Sequence, residues 1–452
     1  MIHSVKRSSW VAAMLLLALA FPLQVVFNNP SMASLAYIPI FLIYGLSLMH
    51  RRSPDEWRVM ARASGMDVVV ALYIALIMGH LVAAFLLRQI PMQEVLRQTF
   101  LFILPATLYF YASRLADEKE FESIFIGIVA AALIVGLYFV YDSFSRLASL
   151  RLDGFQVLAN DYSIARMGIS AGQINAFRTS VGSRAMGLLE THTASGAWIG
   201  LGAFASFSLL SGKSKSVRWI AGLWWLILLL GGLNFTSILA FLITLFFVYG
   251  WRGDGLDYFR KVRKSSLRQI TSFVILALEA AWAIALYSRN FANNIAKMVL
   301  LQLTKIFTIH LDWSNPDRSW IAWTIMAIKT YLKAASRRPL VLLLGAGPVA
   351  SGDFVRGGDS GFLETLAFLG LPLFALMLIG FLITGRQVLG ELRVEGGSRA
   401  AGKRRGLLEF GLAVALFVLI FEAHYSIWAY KSVLPILFLA LGLIRRYGRA
   451  AS

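Results

Sequence analysis

The chain contains no cysteine among its 452 residues, which excludes disulfides and thiolate metal sites. Charge is sparse as well: Asp, Glu, Lys and Arg make up 15% of the residues, against 58% apolar ones. The short connections between apolar runs carry neither a Walker-type nor a dinucleotide fingerprint, so chemistry driven by ATP or a nucleotide sugar is not expected there. No internal repeat and no Pro-rich or Ser-rich linker divides the chain, and residues 1–452 are read as a single domain.

Long apolar runs take the place of these features. They extend over roughly 18 to 23 residues, the length a helix needs to cross the hydrocarbon of a bilayer. The runs are continuous rather than alternating, which excludes a β-barrel. The fold class expected is therefore all-α, a polytopic integral membrane protein. Spans are expected near 10–28, 33–49, 66–87, 99–113, 124–142, 193–210, 219–232, 235–251, 270–287, 361–384, 407–423 and 430–444, about twelve helices. Lys6 and Arg7 before the first run resemble the start of a signal peptide. No clean small-x-small cleavage site follows, so this run is read as a retained helix.

The formal net charge is +19. No basic patch sits on a soluble domain, so a nucleic-acid partner is not expected. The cations instead cluster in short loops. Arg51, Arg52, Arg58 and Arg62 fall on one side with Lys213, Lys215 and Arg218, with the Arg252–Arg268 group, and with Arg399, Lys403, Arg404 and Arg405. The positive-inside rule makes that side cytoplasmic, together with both termini. Two long segments, 143–192 and 288–360, then share the opposite face.

The first segment gathers Arg178, Arg184, Glu190 and His192 just before an apolar run. A helix starting near Thr191 or Thr193 would put them at its N-terminal end, where free backbone N–H groups favour an anion. In the second, Asn315 and Pro316 suit an N-cap and first helical position. Trp320, Ile321, Ile325, Ile328, Tyr331 and Leu332 then form one broad apolar side, with Arg318 in the opening turn. Arg337, Arg338 and Pro339 lead to a buried-looking run from Leu340 to Leu344, then to Gly345 and Gly347, either a phosphate-binding turn or an ordinary one. Arg356, Asp359, Ser360 and Glu364 sit at the mouth of the next span. Ionisable groups there are costly unless they face water, so Asp359 and Glu364 are expected to look into an aqueous cavity, Asp359 alternatively serving as an N-cap.

In these segments the sequence resembles the O-antigen polymerase and ligase superfamily of bacterial envelope glycosyltransferases. Arg318 with Trp323 looks like that family's arginine-then-tryptophan helix, and Pro339 with Gly345 and Gly347 like its proline-then-glycine turn. Asp359-Ser360-Gly361-Phe362-Leu363, followed by Gly370-Leu371, looks like its third segment. Arg184 in Arg184-Ala-Met-Gly187 resembles its first-loop arginine before a glycine. Many ligases carry His-Asn or His-Ser where this chain has Asp359-Ser360, which favours the polymerase branch.

The resemblance implies a C-class glycosyltransferase fold in the bacterial inner membrane. It implies an undecaprenyl diphosphate-linked glycan as donor and a second glycan as acceptor. Membrane lipids and a chain-length regulator would be further partners, and no cofactor or metal is expected. Arg184 and Arg318 would hold the diphosphate, since a guanidinium fork matches phosphate oxygens. Asp359 or Glu190 would take the acceptor's proton. Arg178, His192, Arg338, Arg356 and Glu364 would line the substrate site. The alternatives are a ligase acting on a lipid A core and, from another class, a polysaccharide or lipid transporter.

Overall fold

The computed structural model describes residues 2–50, 64–147, 154–167, 187–189, 192–232, 235–250, 320–350, 361–394, 399–422 and 432–448. These residues are mostly helical, joined by short turns, with no strand among them. The long elements are α1 (Ile2–Ala18), α2 (Ala20–Phe27), α3 (Ile38–His50), α4 (Gly65–Leu86), α5 (Met92–Leu115) and α6 (Glu118–Leu147). After α7 (Gly154–Met167) come α8 (His192–Leu209), α9 (Lys215–Gly231) and α10 (Phe235–Leu245, continued by Phe246–Gly250). The C-terminal part holds α11 (Trp320–Arg337), the short α12 (Leu340–Leu344) and α13 (Gly347–Ala350), then α14 (Gly361–Leu369), α15 (Leu371–Val394), α16 (Arg399–Glu422) and α17 (Leu434–Tyr447).

Three of the described helices, α4, α5 and the Glu118–Ser143 part of α6, are long and apolar enough to cross a membrane. The pair α1 and α2 makes a fourth if counted as one span bent by 56°. That bend replaces the continuous run expected over 10–28. Pro22 explains it, because its ring would collide with the carbonyl four residues back, at the end of α1. Two π turns, Thr99–Ile103 and Tyr111–Leu115, interrupt α5. The first immediately precedes the turn holding Pro105 and gives the ladder slack where the proline removes a donor.

α4 shows how the pattern places a helix. A capping box opens it: Asp67 N–H donates to Ser64 Oγ, and Ser64 N–H donates to the Asp67 carboxylate at 2.7 Å. Val70, Tyr73, Ile77, Leu81 and Ala84 are buried at three- and four-residue spacing, while Leu72, Met78, Val82 and Phe85 are exposed. An outer surface so apolar suits lipid rather than water. α6 and α8 are the central pair. Their close approach depends on small residues such as Gly202, where a Cβ would stand 2.3 Å from that of Ala132.

Side-chain contacts sort the helix ends into two sets. At one end, Asp67 receives the Tyr109 hydroxyl at 2.7 Å and lies 3.3 Å from Arg114 and 3.4 Å from Arg445. Nearby, Glu409 is paired with Arg405 at 2.9 Å and Arg218 at 3.6 Å. Arg404 donates to the Tyr447 carbonyl and Arg446 to that of Ala116, which satisfies carbonyls left open at helix C-termini. Arg218 therefore shares one end of the bundle with Arg404 and Arg405, as the charge pattern predicts. The opposite end carries α7, α11 to α14 and the contacts described next.

Candidate functional site

Four glycines among the described residues have left-handed φ: Gly187, Gly345, Gly347 and Gly370. They fall in three of the four motif segments named above, and all four lie at the end opposite the arginine-rich one.

Gly345 and Gly370 explain each other. Gly345 has φ 71° and ψ 179°, a conformation open almost only to glycine. A Cβ on it would lie 2.3 Å from the Phe368 carbonyl oxygen, and one on Gly370 would lie 2.5 Å from that of Leu343. The two backbones touch with no side chain between them, and Ala346 N–H donates to the Ala367 carbonyl at 2.7 Å. Gly347 fits against the His80 ring of α4, and His80 Nε2 donates to the Leu344 carbonyl at 2.8 Å. Close approach of backbones thus accounts for Gly345 and Gly370, and close approach of the His80 ring for Gly347. Both Gly345 and Gly347 stand in turns with left-handed φ.

The Pro339–Gly347 segment thereby clamps the end of α14 and the start of α15. α11 joins the same unit, because Tyr331 packs on Ala367 with Leu342, Ala346 and Leu363 around them. Tyr331 is 2% exposed, and burial pushes its phenol up from the ordinary tyrosine value. Its hydroxyl has no hydrogen-bond partner among the described residues.

In the first loop, Gly187 is held by a residue the sequence reading passed over. Asp142, fully buried near the end of α6, accepts a hydrogen bond from Gly187 N–H at 2.8 Å and another from Gln156 Nε2 of α7 at 2.6 Å. A Cβ on Gly187 would stand 2.6 Å from Ser195 Oγ. One carboxylate thus ties α7 and the turn before α8 to the core. α7 is also anchored by Tyr162, which donates to Gln24 at 3.0 Å and packs on Phe21 and Val25 of α2. The signal for Asp142 was available: it is a lone carboxylate closing an apolar run, and such groups mark functional positions in membrane helices.

Both units meet on α16. Gly200 of α8 lies against the Phe417 ring with no room for a Cβ, and Trp198 donates to Ser432 Oγ at 3.0 Å. From the other side, Thr365 of α14 donates to Glu422 at 2.9 Å. An apolar groove opens beside that bond, lined by Phe362, Phe374, Met377, Phe381, Val418 and Leu437.

Of the residues singled out for chemistry, Arg178, Arg184, Glu190, Arg318, Arg356 and Asp359 lie outside the described residues. His192 opens α8, within a residue of the start expected there. Arg338 follows α11 and is exposed, and Glu364 stands half-buried in the first turn of α14. The span expected over 270–287 also lies outside.

Three expectations are corrected. The run expected as one helix over 361–384 is broken at Gly370, whose left-handed φ ends α14, so the long helix is Leu371–Val394. The stretch Leu340–Leu344 is not buried, since Leu340, Leu343 and Leu344 are 67%, 58% and 50% exposed. The buried face of α11 consists of Ala327, Tyr331 and Ala335, whereas Ile325, Ile328 and Leu332 face outward.

A scan against protein-family models finds no match, and a search of curated proteins finds none either.

Proposed function

We propose that this chain is a membrane glycosyltransferase that polymerises polyisoprenyl diphosphate-linked oligosaccharide units at the periplasmic face of a bacterial inner membrane. In this reading the bundle has about twelve spans, both termini are cytoplasmic, and the end holding α7 and α11 to α14 is the periplasmic one. The observation that carries the proposal is the identity of the four left-handed glycines. Each belongs to a segment on which the resemblance to O-antigen polymerases and ligases rests, and each sits in a close contact that a Cβ would break: with backbone at Gly345 and Gly370, with the His80 ring at Gly347, and with Ser195 and Phe139 at Gly187.

The convergence on α16 supports the same reading. The helix that follows Arg184 and Glu190 and the helix that follows Asp359 both pack on α16, through Phe417 and Glu422 respectively. Two helices whose starts, His192 and Gly361, lie 169 positions apart in sequence therefore pack against one scaffold. The groove lined by Phe362, Phe374 and Phe381 is apolar and suits a polyisoprenyl tail running alongside.

In the proposed reaction the acceptor hydroxyl attacks the anomeric carbon of the donor. The bond from that carbon to the diphosphate oxygen breaks, and the lipid diphosphate leaves with the electron pair. Arg184 and Arg318 stabilise the charge that builds on it, as preorganised cations do best in a site poor in water. Asp359 or Glu190 accepts the hydroxyl proton. Arg178, Arg338 and Arg356 add positive field, and His192 and Glu364 contact sugar. The undecaprenyl carrier is the expected lipid, and a chain-length regulator is the expected protein partner.

The test is reconstitution of the purified chain in liposomes with lipid diphosphate-linked repeat units as sole substrate. A ladder of lengthened glycans supports the proposal. One-step transfer to a lipid A core without growth points to a ligase instead, and flux of lipid across the bilayer without a new glycosidic bond points to a transporter.

A further inference from the structure

Helix α11 carries three longitudinal rows. Ala327, Tyr331 and Ala335, spaced by four, are buried, Tyr331 against Ala367 of α14. Ile325, Ile328 and Leu332 make a second row, 37%, 39% and 55% exposed. Lys329, Lys333 and Arg337 make a third, also spaced by four and exposed. At 100° per residue the apolar row lies between the buried row and the cations, and successive cations stand about 6 Å apart along the axis.

The chain contains no acidic residue between Arg318 and Asp353, so nothing along this stretch of sequence neutralises the row. The apolar surface continues beyond the helix through exposed Leu340, Leu343 and Leu344. A helix with one face on protein, one apolar face uncovered and cations along its far edge matches what an interfacial helix presents to a bilayer. Lysine and arginine stems extend over such an apolar row while their charges reach the headgroups.

We propose that α11 docks on the bilayer surface, its Ile325–Ile328–Leu332 row in the acyl boundary and its Lys329–Lys333–Arg337 row on anionic phospholipid phosphates. Charge complementarity selects this occupant, because an unbroken cationic edge alongside uncovered leucine and isoleucine fits an anionic leaflet. The helix is then not a lid that swings free over an aqueous cavity. It is a strut held by α14 on one side and by lipid on another, and it sets the height above the membrane at which the Pro339–Gly347 turn sits. This inference does not depend on the chain transferring sugar.

The absence of cysteine makes the test direct, since a single engineered thiol is labelled without background. The full chain carrying Leu332→Cys with a nitroxide is placed in nanodiscs of phosphatidylcholine alone or mixed with phosphatidylglycerol, and collision with oxygen is compared with collision with a water-soluble nickel chelate. The label should lie in the lipid boundary in mixed discs and move toward water in neutral ones. The triple variant Lys329→Gln, Lys333→Gln, Arg337→Gln should abolish the difference. Each cation near an anionic surface contributes roughly a fivefold factor in partitioning, so three contribute on the order of a hundredfold. These side chains are exposed, and an unchanged elution profile of the triple variant confirms folding. A label freely reached by the nickel chelate in both discs overturns the proposal. A label equally immersed in both, indifferent to the triple substitution, overturns the anionic-lipid part of it.

Discussion

Replacing Gly345 by alanine tests the clamp between the Pro339–Gly347 turn and the end of α14. At φ 71° and ψ 179° a side chain costs about 1–3 kcal/mol in backbone strain alone. The added Cβ would also stand 2.3 Å from the Phe368 oxygen, where an ordinary carbon–oxygen contact needs about 3.3 Å. The two backbones must then part by roughly 1 Å, which opens the 2.7 Å bond from Ala346 N–H to Ala367 and costs about 1 kcal/mol more. The sum is about 2–4 kcal/mol. Gly79, in the interior of α4 with nothing within 4 Å of a Cβ, is the control. Alanine there should be neutral or stabilise by about 0.5–1 kcal/mol. Hydrogen exchange of the amides of α12 reads the difference locally. Gly345→Ala should accelerate it about 10²-fold, the factor that about 3 kcal/mol corresponds to, and Gly79→Ala should leave it unchanged. Equal protection in both variants would refute the clamp.

Other substitutions probe separate parts of the account. Asp142→Asn keeps the shape but turns an amide donor toward either Gly187 N–H or Gln156 Nε2, at a cost of about 1–3 kcal/mol. Chain growth should fall at least about tenfold with expression maintained, and full activity would show that the turn before α8 needs no such tether. Tyr331→Phe removes a hydroxyl that has no partner among the described residues, so thermal unfolding should show no loss and a gain of up to about 1 kcal/mol. A loss of that size would show that the hydroxyl is bonded in the folded protein. Arg184→Ala and Arg318→Ala should each abolish chain extension at normal protein levels, with lysine rescuing only partly because the fork is lost. Full activity in both alanine variants would remove these arginines from the site.

The fold was legible where local chemistry and pattern agree. The span expected over 66–87 is observed as Gly65–Leu86, because the Ser64–Asp67 capping box and the apolar run both mark it. The helix after Glu190 and Thr191 begins at His192 for a similar reason, a polar cluster giving way to an apolar run. The break at Gly370 was not legible, since its left-handed turn answers a contact with Leu343 and Gly345 that only the folded chain creates. Leu340–Leu344 reads as buried because an apolar run has the same sequence whether protein or lipid covers it. α7 escaped notice because its mixed polar pattern carries no long apolar run, although it is held by single bonds to Gln24 and Asp142.

For the candidate site, residue types pointed to the loops and the glycines, but not to their supports. Asp142, Thr365 and His80 act by holding backbone or partner side chains across helices, and no spacing in one segment announces such a role. The glycines were readable as turns. What each one avoids, a carbonyl in two cases and the His80 ring in another, needed the tertiary contacts.

The central claim is sugar transfer from a lipid diphosphate, and the purified chain in liposomes tests it most directly. Given lipid-linked repeat units and no other acceptor, the account predicts a ladder of glycans, each one unit longer than the last, with free lipid diphosphate released in step. Unchanged repeat units after prolonged incubation with folded protein would contradict it.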